Sequence, residues 1–259
     1  MNFYHLPDLD EANSSQIPAL IQLVNMGYTY LSRNDVRTLR QHNLNQYILT
    51  DIAFKALRRL NNTTISDQSI YKALSDLEKP RLDDGVIKAS EYIYTTLVAG
   101  CGVQEGKTQS PQLKFIDFEH PQNNAFHVAA EFEITEGSNR RPDIVMFVNG
   151  LPLAVIENKK PSVSVKEAVV QMLRNQQGSQ VPKFFLYPQI LIATNREDFK
   201  YGTMLTPASF YSEWKLRGTE AQVQEVRNSA FASQNHAVNT GTLATIGQDL
   251  LRSHFKQTE

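Results

Sequence analysis

The chain has 259 residues, 41% of them hydrophobic, enough to bury a real core in one large or two small globular units. Lysine plus arginine (26) nearly balance aspartate plus glutamate (27), so a formal charge of −1 excludes a globally basic surface and leaves contact with phosphates to local patches. The single cysteine, Cys101, excludes an internal disulfide and reads as core packing in a reducing cytoplasm, and the absence of any apolar run near the ~20 residues that span a bilayer predicts no membrane partner.

Helical spacing organises roughly the first 100 residues. Ser14-Ser15 offer a cap to a helix carrying Ile17, Leu20, Ile21 and Val24 that ends near Gly27, and Tyr28 to Leu31 reads as a short strand. A second helix is expected from about Gln46 to Leu60, stopped by Asn61-Asn62. A third starts at Ser66-Asp67 and is closed by Pro80. A fourth runs from about Asp83 to Val98, with Ile87, Ala89, Tyr92, Ile93 and Leu97 inward.

From Leu113 the pattern changes to strands. Leu113 to Phe118 and Phe126 to Ile134 bracket a polar turn at Pro121 to Asn124. Alternation puts Phe126, Val128, Ala130, Phe132 and Ile134 on one side, and His127, Glu131 and Glu133 on a wetter one. His127 there reads as a half-exposed strand histidine rather than a general base. Gly137-Ser138-Asn139 then turns the chain.

The next stretch, Arg140 to Lys160, holds two apolar, β-branched runs joined by Asn149-Gly150, the strongest short-range hairpin signal. Both runs are too hydrophobic to have one wet face, so both should be central strands. Yet Asp143 opens the first, and Glu157 and Lys159 close the second. Buried charges need a partner or a metal. Residues i and i+2 of a strand share a face, so Glu157 and Lys159 project together and the hairpin brings Asp143 beside them. Two carboxylates with a lysine form a hard-cation site for Mg²⁺, open to water and phosphate, which is a layout for phosphodiester hydrolysis. The plainer reading is a strand-end salt bridge from Glu157 to Lys159 or Lys160, worth little at a surface. Register decides between them. A plain two-residue turn pairs Val148 with Leu151 and sets Asp143 opposite Ile156, on the wrong face from Glu157. The metal site therefore predicts a three-residue loop, Asn149-Gly150-Leu151, or a bulge nearer the site, with Gly150 at positive φ.

Pro142-Asp143 with Glu157-Asn158-Lys159 resembles the PD-(D/E)XK nuclease motif. The wider wording from Arg140 to Lys159, with Phe126 to Phe132 upstream and Ala193-Thr194-Asn195 and Tyr201-Gly202-Thr203 downstream, is similar to the N-terminal endonuclease domain of the R (restriction, HsdR) subunit of type I restriction-modification enzymes. The resemblance implies Asp143 and Glu157 as Mg²⁺ ligands, the backbone carbonyl of Asn158 as a third, and Lys159 acting on the water and scissile phosphate. It also implies an amide one helix later, where the family has Gln-x-x-x-Tyr. Gln171 matches, but Asn175 stands in place of the tyrosine. Similar nucleases can add an acid from a preceding helix. Glu91 is the candidate for that place, and a solvated helix face is the preferred reading.

After Pro161, Ser164 with Glu167 three residues on is a capping box opening a helix. Its apolar stripe is Val165, Ala168, Val169 and Met172, and Glu167, Gln171 and Asn175 recur on a polar face. Gln189 to Thr194 is a further buried strand, completing a strand–helix–strand unit, and Phe199 to Gly202 another. Phe210, Tyr211 and Trp214 read as a satellite core rather than a base-stacking surface.

The expected fold is α/β: a mixed, restriction-endonuclease-like sheet flanked by helices. Residues 1–259 would form one nuclease domain, with a helical part over about 1–100, the sheet and its helices over about 110–215, and a helical tail over about 219–259. Arg140, Arg141, Lys160, Lys166, Arg174 and Asn175 are the candidate contacts to double-stranded DNA, made without reading sequence. No Gly-x-x-x-x-Gly-Lys-Ser/Thr loop is present, so ATP would serve only motor domains in a longer chain, of which this reads as a fragment. The resemblance adds modification and specificity subunits as partners. A non-catalytic DNA-clamping or subunit-interaction module on the same fold is the alternative.

Overall fold

The Asn-Gly hairpin occupies the middle of the sheet, as its doubly apolar strands require. The computed structural model describes residues 11–61, 63–106 and 110–213, together with Thr245. A π-helical turn, Ala12–Gln16, leads into α1 (Ile17–Asn25). Then come β1 (Thr29–Leu31), α2 (Arg33–Leu39), α3 (Thr50–Leu60), α4 (Asp67–Glu78), α5 (Val86–Ala99), β2 (Cys101–Gly102) and β3 (Gln112–Leu113). The second half holds β4 (Phe126–Ala130), β5 (Ile134–Thr135), β6 (Asn139–Arg140), β7 (Ile144–Val148), β8 (Leu151–Asn158), α6 (Val165–Asn175), β9 (Ile190–Thr194), β10 (Phe199–Gly202) and β11 (Ser212–Glu213).

Seven strands form one mixed sheet in the order β1-β4-β7-β8-β9-β10-β11. β1 runs parallel to β4 and β8 parallel to β9; the other neighbours are antiparallel. Both faces are covered. Val128, Ala130, Ile144 and Ile156 pack under Leu20 and Leu23 of α1. Ala129, Val145, Phe147, Val155 and Leu191 join the larger core built by α3, α4 and α5 through Ala53, Leu57, Ile70, Leu74, Ile93 and Leu97. Double coverage explains why these strands read as apolar runs rather than alternating ones. Among the described residues, no helix is long and apolar enough to cross a membrane.

Several elements differ from expectation for local reasons. Ser14 and Ser15 lie inside the π-helical turn instead of capping a helix. α2 escapes the periodicity reading, although Ser32 and Asp35 form a reciprocal capping box at its start. α3 begins at Thr50 rather than Gln46, because the Leu49 N–H donates to the Gly150 carbonyl and ties that segment to the hairpin. On α5, Ile87 and Tyr92 face solvent (69% and 48% exposed) while Ala89, Ile93 and Leu97 are buried as expected. The strand expected over Leu113 to Phe118 shrinks to β3. The one expected from Phe126 to Ile134 breaks after Ala130, where Glu131 takes a left-handed φ of 51°. The helical first part also supplies β1 to the sheet edge, so the sheet is not confined to the second half. Trp214 and the tail over 219–259 lie outside the described residues, apart from Thr245.

The hairpin solves the register problem with a bulge, but at the turn rather than nearer the site as expected. Asn149 (φ 51°) and Gly150 (φ 76°) make a two-residue turn with both φ positive, so the three-residue loop does not form. Val148 pairs with Leu151 and Phe147 with Pro152, but Met146 pairs with Ala154. Leu153 is therefore a bulge, next to the turn rather than near the strand ends. Beyond it Ile144 faces Ile156, which brings Asp143 and Glu157 to one face. The buried Asn149 amide holds the turn by accepting from the Ala125 N–H (2.7 Å) and donating to the Phe115 carbonyl (2.9 Å) and Asn124 Oδ1 (2.8 Å).

A Cβ at Gly150 would sit 2.7 Å from the Leu49 carbonyl oxygen and 2.8 Å from the Ala53 nitrogen, both backbone atoms. Gly150→Ala should therefore cost about 2–4 kcal/mol. That lowers the melting temperature by roughly 4–15 °C. A thermal melt within 1–2 °C of the parent would show that the turn is not under this constraint.

Candidate active site

The bulge puts Asp143, just before β7, beside Glu157 near the end of β8. The carboxylates are 7% and 1% exposed. The Asn158 N–H donates to Asp143 Oδ2 at 2.6 Å, and the Asp143 N–H approaches Glu157 Oε2 at 3.4 Å. Burial, then the Glu157 charge, pushes the Asp143 carboxyl well above the usual carboxylate range, and Lys159 offsets this only in part. Burial raises Glu157 to about 7 against the opposing pull of Lys159, the Asp143 N–H and Gln171. Lys159 Nζ lies 2.9 Å from the Asn158 carbonyl. Gln171, on the first turns of α6, donates to Glu157 Oε1. The structure thus brings Asp143, Glu157, Asn158, Lys159 and Gln171 together.

Three further residues reach this cluster from the N-terminal segment, and sequence reading missed them. Glu11 pairs with Lys159 at 3.3 Å. Ser15 Oγ donates to Asn158 Oδ1 at 3.0 Å. Gln16 Nε2 donates to the Asp143 carbonyl at 3.0 Å and to Glu131 Oε1 at 3.2 Å. A run of polar residues before an apolar helix looks like a cap, and nothing local announces that it folds against strands more than a hundred residues away. Glu91, the candidate helical acid, is exposed and pairs with Lys88 on its own helix. Glu11 reaches the cluster only through its pair with Lys159.

The candidate phosphate contacts divide. Lys160, Lys166 and Arg174 are exposed. Arg141 approaches Glu131 at 3.8 Å, and Arg140 donates to the Asn139 carbonyl with its Nε buried and unpartnered among the described residues. Asn175 is the correction. It is 2% exposed and lies with Val165, Ala168, Val169 and Met172 on the buried side of α6. The chain after α6 folds back over it, with the Val181 N–H donating to the Asn175 carbonyl. The polar i, i+4 face therefore ends at Gln171, and Asn175 does not present its amide to DNA.

Among the described residues no group of three or more His, Cys, Asp or Glu side chains is arranged to hold a metal. The donors present are two carboxylates and a backbone carbonyl, all hard oxygens. That set fits Mg²⁺, which keeps several waters, better than a soft transition ion. Two buried carboxyls held up in pKa by burial, a rise that the Lys159 charge opposes in both only in part, also leave room for a further positive charge.

A central antiparallel hairpin with acidic strand ends, a parallel neighbour reached through α6, and helices on both faces define a restriction-endonuclease-like fold. Residues 8–210 match the family described as the type I restriction enzyme R protein N terminus, and the chain belongs to that family. It is 26% identical over 92% of its length to the putative type I restriction enzyme MjaIXP endonuclease subunit of Methanocaldococcus jannaschii. It is 26% identical over 80% to the HindI endonuclease subunit of Haemophilus influenzae, and 31% over 70% to the EcoprrI endonuclease subunit of Escherichia coli. The matched part spans 24%, 20% and 55% of those relatives, respectively.

The raised carboxyls make a signed prediction. A carboxyl whose folded pKa lies above its unfolded value stabilises the fold fully below the unfolded value, and that contribution is lost as pH rises through the folded one. Glu157→Gln removes this loss. Its melting temperature, compared with the parent in metal-free buffer, should be similar near pH 4 and higher by about 3–10 °C at pH 8. A difference independent of pH would contradict the assignment.

Proposed function

We propose that this chain is the endonuclease domain of a type I restriction enzyme R subunit, cleaving double-stranded DNA by Mg²⁺-dependent phosphodiester hydrolysis. The observation that carries the reading is the bulged register, which brings Asp143 and Glu157, at the ends of two adjacent strands, to one face, with Lys159 two residues beyond Glu157. Asp143, Glu157 and the Asn158 carbonyl would hold Mg²⁺. When bound, the ion supplies Lewis-acid stabilisation of the scissile phosphate and eases deprotonation of the attacking water. Lys159 orients that water and offsets negative charge developing on the phosphate. Glu11 holds the ammonium in place. Gln171 fixes one Glu157 oxygen so that the other faces the strand-end cluster.

Lys160, Lys166 and Arg174, with Arg140 and Arg141 at the entry to β7, would contact phosphates and position the duplex without reading bases. Target recognition and modification would belong to the enzyme's other subunits, and ATP to motor domains in the remainder of the longer R subunit, acting in the cytoplasm. A non-catalytic clamp on the same fold is the second reading. It is disfavoured because a clamp has no need of two like charges buried side by side, a costly arrangement.

In the full-length R subunit assembled with its partners, Asp143→Ala, Glu157→Ala and Lys159→Ala should each lower plasmid cleavage by at least ~10²–10³-fold. Assembly, and the salt-dependent, sequence-independent share of DNA binding, should stay near parental. Parental cleavage by Lys159→Ala would remove its assigned role, and parental cleavage by all three would favour the clamp.

A further inference from the structure

We propose that the π-helical turn Ala12–Gln16 is the positioning device of this site, with Ser15 and Gln16 aligning the two strand ends that carry the proposed Mg²⁺ ligands. The inference rests on the nuclease reading above and adds residues to it. Neither side chain would touch metal or DNA; both act through the residues they hold.

Gln16 is 3% exposed, and its amide nitrogen has two hydrogens. One goes to the Asp143 carbonyl and the other to Glu131 Oε1. Both acceptors lack a hydrogen to give, so the amide has one workable orientation. The Asp143 carbonyl also accepts the Glu131 N–H at 2.9 Å, which saturates it and immobilises the peptide that follows Asp143. Glu131 makes that bond from a left-handed backbone, φ 51°, a conformation that costs a non-glycine residue energy and persists only where its surroundings hold it. Gln16 and Arg141 are those surroundings.

Ser15, 4% exposed, donates to the Asn158 side chain. Asn158 links the ligands: its N–H binds the Asp143 carboxylate and its carbonyl faces Lys159. Fixing its side chain on the α1 face of the sheet fixes the orientation of its own backbone N–H and carbonyl, the groups that make those contacts. Adjacent residues thus hold two strand ends that lie 127 and 143 residues away in sequence. The π geometry has a reason here. An i→i+5 turn is wider than an α-turn and often marks functional sites. In it the consecutive Ser15 and Gln16 both face the sheet, while Leu20 and Leu23 keep the apolar stripe of α1 on the strands.

The test uses the full-length subunit in its assembled enzyme, with Ser15→Ala, Gln16→Leu and the conservative Ser15→Thr. Mn²⁺ binding is followed by electron paramagnetic resonance, alongside the Mg²⁺ concentration for half-maximal cleavage and the melting temperature. Ser15→Ala and Gln16→Leu should weaken Mn²⁺ binding and raise the Mg²⁺ requirement by about 10–100-fold, the usual effect of residues that orient metal ligands. Ser15→Thr, which keeps the hydroxyl, should behave as the parent, and Ser15→Ala, which leaves the buried Asn158 Oδ1 without its donor, should melt only a few degrees lower. Parental metal dependence in both Ser15→Ala and Gln16→Leu, with the parent active, would overturn this inference and leave the nuclease reading intact. Losses that vanish when the assays are run well below every variant's melting temperature, or that Ser15→Thr does not restore, would also overturn it. A parent that neither binds Mn²⁺ nor cuts would overturn the nuclease reading and this inference with it.

Discussion

One extra residue, Leu153, decides which face of the sheet the two buried carboxylates share. Side chains alternate along a strand with period two, so a hairpin closed by two residues assigns every later pair to a face by parity. Parity alone would put Asp143 and Glu157 on opposite sides of the sheet. The bulge at Leu153 reverses it for everything beyond, and the two carboxylates meet. Its place beside the turn matters as well. From Ala154 onward β8 runs in unbroken parallel register with β9, so the strand end that carries Glu157 and Asn158 is backed by a continuous ladder through Asn158 and Thr194.

The turn that makes this possible is itself held from outside. Asn149 and Gly150 need left-handed backbone, and Asn149 is surrounded by the 115–125 segment, Gly150 by the start of α3. The helical first part of the chain therefore reaches both ends of the hairpin. α3 closes on its turn, and the π-helical segment before α1 closes on its open end. A slip in either would be felt at the carboxylates through the stiff strands between them.

Stability and charge pull in opposite directions at the open end. Burial raises both carboxyls, so ionising the pair as pH rises opposes folding. The polar groups around them, Gln171, Asn158, Ser15 and Gln16, satisfy hydrogen bonds without supplying charge. Lys159 does supply charge, but shares it with Glu11. Such a cluster gains most from a divalent ion, which is why its electrostatic strain and its proposed chemistry have one origin.

Much of this was legible in the residues. Asn-Gly between two β-branched runs determines a central hairpin; Ser66 and Ser164 mark helix starts; Asp143, Glu157 and Lys159 stand out as charges where a buried strand cannot hide them cheaply. These are local signals, carried by spacing and by the cost of burying charge. Tertiary structure decided what depends on distant partners. The bulge, chosen over a longer loop, follows from how Asn149 and Gly150 are gripped by segments far upstream, from Ala125 back to Leu49. Asn175 is polar in type and helical in spacing, yet buried, because the chain after α6 covers it. Glu11, Ser15 and Gln16 carry no local mark of function at all. Only the packing of α1 across β4, β7 and β8 delivers them to the strand ends, since a side chain's surroundings are set by whichever element the core brings over it.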